Sequence, residues 1–515
     1  MRRSDMTELK KFSGYLSNKK ELSRKLGFPG TDEEYIVSAY EKWGMDFTSH
    51  LQGMFGFILE EPDGRKILVR DRFGNESVYY YLSPEGDLVY GLTINEILCS
   101  GCYEKKLNEQ ALELYLTYSY LPGKQTFFEG ITKVMPGHVV VFDQGKISIT
   151  RYWKPEYRGD ASADIDTYAA KVNEILKEAV EDWKLPGEKY GNFLSGGVDS
   201  AYLAALTKPQ YTFSTAYDNQ EFDESGLAAV TAKILGAEHI RVRITPEEYF
   251  DVIPEAMKAM EQPLADASTI AFYLACKGAR KYVDICYSGE GADELFCGYH
   301  AYTRRLVNLD NPEYPSAPVE NYYIGNTKVM TEKEKQEILL HYKGELTPLE
   351  LANSLYEFDE DTDDITKMWL CDLQVWFEGD IMLNAEKMSK ANHLAARTPF
   401  LDSRLYEIAS RIPSEYKVSR EETKIVFRKA AAHELPAEIA FRKKLGFAVP
   451  ARVWMMEEPY LSRIRERLES AQAARFFDVE KLRTMLCPEY LKQPDHWRKV
   501  WNIYIFLVWC EQYGF

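Results

Sequence analysis

The sequence lacks the long apolar runs and the excess positive charge that are typical of membrane and nucleic-acid-binding proteins. No stretch approaches the roughly 18 consecutive apolar residues of a transmembrane helix, so we expect no membrane partner. The formal net charge of −17 opposes binding to a phosphate backbone, so we expect no nucleic-acid partner. The eight cysteines are scattered over 515 residues, and no signal-peptide core follows Met1. Both features predict a reduced, cytoplasmic protein.

A chain of this length exceeds the size at which one hydrophobic core stops growing, so more than one domain is expected. Residues 1–160 contain short alternating apolar runs, at 55–59, 66–69, 78–82 and 138–142, separated by Gly- and Pro-bearing turns, a pattern typical of antiparallel sheets. From residue 161 to residue 515, longer helical periods alternate with isolated strands, and the last third is almost wholly helical in pattern. Strands joined by helices predict parallel pairing and a doubly wound α/β sheet.

One stretch organises the second region. Residues 190–193 predict a buried strand, and residues 195–200 (SGGVDS) predict a turn that leads into a helix. Gly196 and Gly197 let the backbone approach a ligand, and a helix N-terminus behind them favours an anion. Ser195 and Ser200 add hydroxyl donors. Asp199 suits a phosphate site only if a divalent cation bridges it to the phosphates.

A second turn of this kind follows the predicted strand at residues 283–287. Its sequence, SGEGADE, spans residues 288–294 and ends in acidic residues at a predicted helix start. Two such turns at the carboxyl ends of parallel strands face each other across a ligand crevice. Asp293 would then share Mg²⁺ with Asp199. Taken alone, the acidic residues of this turn are equally well explained as carboxylates that stabilise the helix dipole.

Two further motifs lie downstream. Residues 397–402 (RTPFLD) are predicted to close a helix, and residues 442–447 (RKKLGF) carry a basic group beside a Gly-Phe turn. Together with the two Gly-bearing turns, in this order and spacing, they resemble the asparagine synthetase family. The resemblance extends over nearly the whole chain.

The resemblance implies an N-terminal Ntn-hydrolase-like domain of the class II glutamine amidotransferase type over residues 1–160. It implies a synthetase domain of the PP-loop ATP pyrophosphatase type over residues 161–515. Such enzymes use ATP and Mg²⁺ to adenylate a carboxylate, release pyrophosphate, and let an amine or ammonia attack. The groups implied to bind ATP and pyrophosphate are Leu194, Ser195, Gly196, Gly197, Asp199, Ser200, Ser288, Gly289, Glu290 and Lys424. Those implied at the substrate are Gly291, Asp293 and Arg397, with Asp199 and Asp293 on the metal and Lys444 assisting acyl transfer.

The N-terminal region departs from the family pattern. A cysteine after the initiator Met would be the glutaminase nucleophile, whereas Arg2 stands there. The family's Asn-Gly-Glu segment corresponds to residues 13–15, which are Ser-Gly-Tyr. Asp32 remains at a position that resembles a contact to the glutamine amine. We therefore expect a domain without working glutaminase activity.

The synthetase half departs at one position, because the family has a Glu two residues before the Arg of R-x-PFLD and this chain has Ala395. That Glu resembles an acid/base group, so Glu386 or His393 becomes a candidate for proton transfer.

Three hypotheses about the function stay open. The protein is an ammonia-using asparagine synthetase; it is a cyclase or ligase of the β-lactam synthetase or lasso-peptide type, with a different carboxylate and amine or a peptide substrate; or it is a silent ATP-binding scaffold. A homodimer is the default expectation.

Overall fold

The structure is a computed structural model and describes residues 7–184, 187–308, 317–359, 361–443 and 449–515. Two antiparallel sheets lie in the N-terminal part and one parallel sheet lies in the C-terminal part, so the predicted mixed α/β class is confirmed. The strands are β1 (Glu8–Leu16), β2 (Gly53–Glu60), β3 (Lys66–Arg70), β4 (Tyr79–Leu82), β5 (Leu88–Gly91), β6 (Thr132–Lys133), β7 (His138–Asp143), β8 (Lys146–Arg151), β9 (Tyr190–Phe193), β10 (Tyr211–Ala216), β11 (Glu238–Arg243), β12 (Ile285–Tyr287) and β13 (Ala395–Arg397).

The first antiparallel sheet has the order β1-β2-β3-β7-β8, and the second has the order β5-β4-β6. Alternate residues of β2, β3 and β7 point to opposite faces, as the pleat requires. One set packs against the second sheet, and the other packs against the helices Lys19–Leu26 and Asp32–Trp43. The remaining helices of this part are Phe47–His50, Ile94–Leu98, Glu109–Tyr118 and the 3₁₀ turn Gly44–Asp46.

The C-terminal sheet is parallel and has the order β11-β10-β9-β12-β13. In order of appearance along the chain this is 3-2-1-4-5, the doubly wound arrangement, so the direction of winding reverses between β9 and β12. Each of these two strands leads into one of the Gly-bearing turns. Both turns therefore lie at the switch point, where ligands bind in such sheets.

The remaining elements are helical. The α-helices are Ile165–Trp183, Val198–Thr207, Ser225–Leu235, Pro246–Met260, Ser268–Ala279, Ala292–Phe296, His300–Asn308, Glu332–Ile338, Pro348–Leu355, Asp364–Cys371, Leu383–Ala391, Ser403–Ala409, Ser414–Lys417, Ile425–Ala431, Ala437–Ala440, Ala451–Trp454, Tyr460–Leu468, Val479–Met485, Pro488–Leu491 and His496–Tyr513. A π-helix spans Asp372–Met382, and the 3₁₀ turns are Val319–Asn321, Pro399–Leu401 and Ala473–Arg475. Within the described residues, none of these helices is long and apolar enough to cross a bilayer.

The prediction that residues 397–402 close a helix is wrong. The preceding helix ends at Ala391, and His393 adopts a left-handed conformation with φ of 54°. The chain then forms β13, which pairs in parallel with β12, before the 3₁₀ turn Pro399–Leu401. The left-handed residue turns the chain from the helix axis into the edge of the sheet, which brings Arg397 beside Tyr287.

The N- and C-terminal parts share one hydrophobic core, which includes Phe73 and Tyr115 from the first and Phe377 and Phe506 from the second. Buried ion pairs also join the two parts. Glu378, in the π-helix, lies 2.8 Å from the Arg70 guanidinium and 2.6 Å from the Lys133 ammonium, and all three side chains have no solvent exposure. The two parts are therefore held as one unit by both packing and charge.

Candidate active site

Two strand-to-helix turns form the floor of the candidate site. Residues 194–197 link β9 to the helix Val198–Thr207, and residues 288–291 link β12 to the helix Ala292–Phe296. The turns are in close contact, because a Cβ on Gly289 would lie 3.3 Å from the backbone nitrogen of Ser200. Gly291 has a φ of 93°, a conformation that a residue with a Cβ rarely adopts.

The first turn is shaped by its own hydroxyl groups. The Ser200 hydroxyl accepts the N–H of Ser195 at 3.0 Å and lies 3.0 Å from the Ser195 hydroxyl. The N–H of Gly197 donates to that Ser195 hydroxyl at 3.1 Å. The N–H groups of Ser195 and Gly197 are thus used within the turn, and that of Gly196 donates to Glu224. What the turn offers to an anion is therefore the N-terminus of the helix Val198–Thr207, with its positive dipole end.

Lys424 joins the two turns. Its side chain is buried, and its ammonium lies 2.6 Å from Asp199 and 2.8 Å from Asp293. Lys424 has a left-handed backbone with φ of 57°, just before the helix Ile425–Ala431. Gly298 makes room for this arrangement, since a Cβ there would lie 1.8 Å from the Asp293 carboxylate and 2.1 Å from Lys424 Cε.

Glu290 of the second turn is a carboxylate without a protein partner at one of its oxygens. Its Oε2 is buried and accepts no hydrogen bond from the described residues. Burial, together with the charges of Asp199 and Asp293, raises the pKa of Glu290 to about 7. This carboxyl group can therefore exchange a proton near neutral pH. Ala395, at the position of the family Glu, has no group that can exchange a proton. The sequence had not indicated Glu290 as an acid/base group.

A cavity of about 440 Å³ lies above the turns. Its lining includes the aromatic side chains of Phe193, Phe213 and Phe272. The polar residues of the lining include Ser195, Gly197, Asp199, Ser200, Ser288, Gly289, Glu290 and Asp293. A lining that combines aromatic surface with polar groups at a helix N-terminus suits a nucleotide, which has a planar base and a phosphate chain.

The two aspartates fit a magnesium ion. Their oxygens converge on a single ammonium, so they converge on one point in space. Mg²⁺ takes one or two carboxylates together with phosphate oxygens and water. In the part of the chain that the structure describes, no group of three or more His, Cys, Asp and Glu side chains could hold a metal. A cation at Asp199 and Asp293 would therefore need phosphate oxygens to complete its ligand shell.

A second cavity, of about 370 Å³, adjoins the first and shares Ser288, Glu290 and Ala385 with it. It contains three other residues that the sequence had singled out: Glu386, His393 and Arg397. Thus those residues lie beside the nucleotide-sized cavity rather than in it.

The contacts of these three residues are with protein. Burial opposes the charge of Glu386, but the ammonium groups of Lys390 and Lys387 lower its pKa to about 2, so it stays an anion and is a poor acceptor of protons. Arg397 forms two hydrogen bonds to Glu188, of 2.7 and 2.8 Å, and lies 4.3 Å from the ring of Tyr15. His393 is exposed. Proton transfer by Glu386 or His393 and substrate binding by Arg397 remain predictions, and Glu290 is the better-placed acid/base group.

Lys444 lies outside the described residues, so its predicted role in acyl transfer remains a prediction. The nearby Arg442 donates to the carbonyl of Gly196 at 3.2 Å, which brings this segment to the first turn. The sequence did not identify three charged side chains that connect the N- and C-terminal parts, namely Glu76, Lys390 and Glu378. Glu76 pairs with Lys390 and Glu378 pairs with Arg70 over separations of 314 and 308 residues, so no local pattern could reveal these contacts.

Comparisons with known proteins agree with this geometry. A model of the family described as asparagine synthase matches residues 171–511, and a model described as a glutamine amidotransferase domain matches residues 1–153. Asparagine synthetase [glutamine-hydrolyzing] 1 of Bacillus subtilis is 30% identical over 97% of this chain and 84% of its own length. A putative asparagine synthetase [glutamine-hydrolyzing] of Mycobacterium bovis is 29% identical over 93% and 79%.

The similarity extends to relatives with other activities. Amidase chyE of Penicillium rubens is 23% identical over 96% of this chain and 84% of its own length. A solved structure of NMN synthetase from Francisella tularensis covers only 26% of this chain and 58% of its own, at 20% identity and a TM-score of 0.20, and bears no weight. On the strength of the family match and the near full-length similarity, the chain belongs to the asparagine synthase family and is an ATP-dependent carbon–nitrogen ligase.

Proposed function

We propose that this protein converts a carboxylate into an acyl-adenylate and joins it to an amine or ammonia, with release of pyrophosphate and AMP. The observation that carries the proposal is the convergence of Asp199 and Asp293 on Lys424 at the mouth of the Ser-Gly-Gly turn. A pyrophosphate leaving group is stabilised by a cation held on carboxylates, by an ammonium and by a helix N-terminus, and the presence of two carboxylates, an ammonium and a helix N-terminus at this turn supports the proposal.

The steps follow from the groups at the site. A carboxylate oxygen attacks the α-phosphorus of ATP, and the bond to the pyrophosphate oxygen breaks. Mg²⁺, when bound by Asp199 and Asp293, would neutralise the charge that collects on the pyrophosphate. The amine nitrogen then attacks the acyl carbon, AMP leaves with the bonding electrons, and the Oε2 of Glu290 takes the proton that the nitrogen loses.

We also propose that the amine does not come from glutamine hydrolysed in the N-terminal part. The support comes from residues around the former glutamine pocket. Asp32, at the position that resembles a contact to the glutamine amine, is half-buried and forms a 3.0 Å ion pair with Lys19, so this carboxylate already has a protein ammonium as its partner. Tyr15, which replaces the family Glu, donates its hydroxyl to the carbonyl of Asp182 and is held against Arg397.

The exchange of labelled pyrophosphate into ATP tests adenylation without an acceptor. With Mg²⁺ and aspartate, or a panel of other carboxylates, we expect carboxylate-dependent exchange. Asp199→Asn should reduce it by about a hundredfold, because a preorganised charge at the reacting phosphates is lost. Asp218→Asn, which breaks an exposed pair with Arg243, is the matched control and should not change it. Absence of exchange with every carboxylate would refute the proposal and favour the scaffold hypothesis.

The amine source needs a separate measurement. Amide formation should proceed with ammonium and not with glutamine as the only nitrogen donor. Glutamate release together with amide formation from glutamine would contradict our interpretation of Asp32 and Tyr15, without affecting the adenylation proposal.

A second candidate keeps the adenylation step and changes both substrates, as in amide-forming cyclases or ligases. The cavity beside Glu290 favours it, because its volume of about 370 Å³ exceeds what ammonia needs.

A further inference from the structure

The second cavity lies between the two parts of the chain. The N-terminal part contributes Ser13, Tyr15 and Glu76, and the synthetase part contributes Glu386 and Lys390. Lys390 and Gly14 are exposed, so the cavity opens to solvent at that edge. At its inner end it meets the nucleotide-sized cavity at Glu290. A molecule that enters between the two parts therefore reaches the place where the acyl group would be activated.

The size of this cavity exceeds what ammonia needs. Its volume of about 370 Å³ lies within the range of sites for small organic ligands and corresponds to roughly a dozen water molecules in the liquid. Part of the space exists because Ala395 and Ala396 line it with methyl groups only.

The charge of the cavity is negative. Glu76 and Glu386 are both buried, and Lys390 is the cation that contacts both of them. Two further cations are already neutralised, Arg397 by Glu188 and Lys387 by Glu261, and Asp284 is paired with Arg280. Two carboxylates with one ammonium leave one negative charge, so the field favours a cation.

The charged form of the Glu76 carboxylate is energetically unfavourable in this place. Burial raises the pKa of Glu76, and the neighbouring charge of Glu386 raises it as well. Lys390 contacts both carboxylates, but a single ammonium does not balance two negative charges. An incoming ammonium would relieve the repulsion, and the unpartnered Oε2 of Glu290 lies further along the same cavity.

We infer that this cavity binds the acceptor, a primary amine with a carbon skeleton that enters as its ammonium form and is held by Glu76. This inference rests on the proposed function and names the class of its second substrate. The N-terminal part would then take part in binding the acceptor, since Ser13, Tyr15 and Glu76 form one wall of the acceptor site.

Binding of n-butylamine, measured by calorimetry without ATP, tests the inference directly. Wild-type protein should bind n-butylamine and should not bind butyrate, which has a similar length and the opposite charge. Glu76→Gln should weaken binding about tenfold or more, which corresponds to the loss of one charge-assisted hydrogen bond. Ala395→Phe, which fills the cavity without removing a charge, should also abolish binding and serves if Glu76→Gln does not fold. Glu129→Gln, at an exposed pair with Lys106, is the control and should bind like wild type.

The outcomes separate this inference from the proposed function. Equal binding by wild type, Glu76→Gln and Ala395→Phe, or no binding by wild type, overturns the acceptor site, whatever the pyrophosphate exchange shows. Binding that responds to both substitutions supports it, even if no tested carboxylate supports exchange. In turnover, wild type should use n-butylamine in preference to ammonium, and Ala395→Phe should reverse that preference. An unchanged preference in Ala395→Phe contradicts the inference.

Discussion

Glu378 is the residue whose replacement should destabilise the protein most clearly without touching the candidate site. In the wild type, Arg70 and Lys133 supply two buried positive charges and Glu378 supplies one negative charge. Glu378→Gln keeps the shape and removes the negative charge, so two cations remain together in a dry interior. Breaking a buried pair in this way costs about 3–5 kcal/mol, a large share of a typical folding free energy of about 5–15 kcal/mol.

Urea unfolding followed by tryptophan fluorescence measures this cost. We expect a markedly lower unfolding midpoint for Glu378→Gln. The double variant Glu378→Gln/Lys133→Met has the same local net charge as wild type and should recover a substantial part of the loss. Glu407→Gln, at a partly exposed pair with Arg158, is the control and should cost less than about 1 kcal/mol.

The effect should also depend on pH with a defined sign. Burial raises the pKa of Glu378, but Lys133 and Arg70 lower it below the ordinary glutamate value. A carboxyl group with a lowered pKa in the folded state stabilises the protein above its unfolded pKa, and this stability is lost as the pH falls through the folded pKa. The difference between wild type and Glu378→Gln should therefore persist at neutral pH and shrink in acid. A single variant as stable as wild type at neutral pH, or a double variant less stable than the single one, would refute the reasoning.

Two further predictions concern the site. Gly298→Ala should displace Asp293 and Lys424, because the added Cβ would overlap both, and pyrophosphate exchange should fall at least about tenfold. Gly226→Ala is the control, since a Cβ there meets nothing within 4 Å, and it should leave exchange intact. Equal exchange rates for the two variants would contradict the packing argument. Amide formation should increase as the pH rises through about 7, the pKa to which burial raises Glu290, because only the ionised carboxylate accepts the amine proton. Glu290→Gln should remove that limb of the pH–rate profile, and persistence of the limb would assign the proton transfer to another group.

The sequence predicted the two Gly-bearing turns because such turns are local: the strand, the glycines and the helix start lie within about a dozen residues. It predicted β2, β3, β4 and β7 from their apolar alternation, but not β1 or β8. In β1 a register shift between Leu9 and Lys11 breaks the period of two. In β8, at the edge of the sheet, most residues are exposed and polar, so little hydrophobic signal is present.

What the sequence could not predict depends on contacts between distant segments. The proton-transfer group was sought at Glu386 or His393, whereas the buried carboxyl oxygen that accepts no hydrogen bond from the described residues belongs to Glu290, in the turn after β12. The cavity between the two parts needs Glu76 and Lys390 to meet, although they are 314 residues apart. The burial of a carboxylate, and thus its pKa, is set by the neighbours that tertiary packing brings to it.

The Arg70–Glu378 pair also constrains how the chain matures on the ribosome. The partners are 308 residues apart, and at about 5–20 residues per second the ribosome needs roughly 15–60 s to make the intervening chain. During that interval the nascent N-terminal part exists with Arg70 and Lys133 lacking the carboxylate that neutralises them. Its sheets can assemble, but the surface that will face the π-helix must stay hydrated until Glu378 emerges. The N-terminal part therefore completes its packing late in synthesis, after Glu378 has been made, and not when its own last residue has been made.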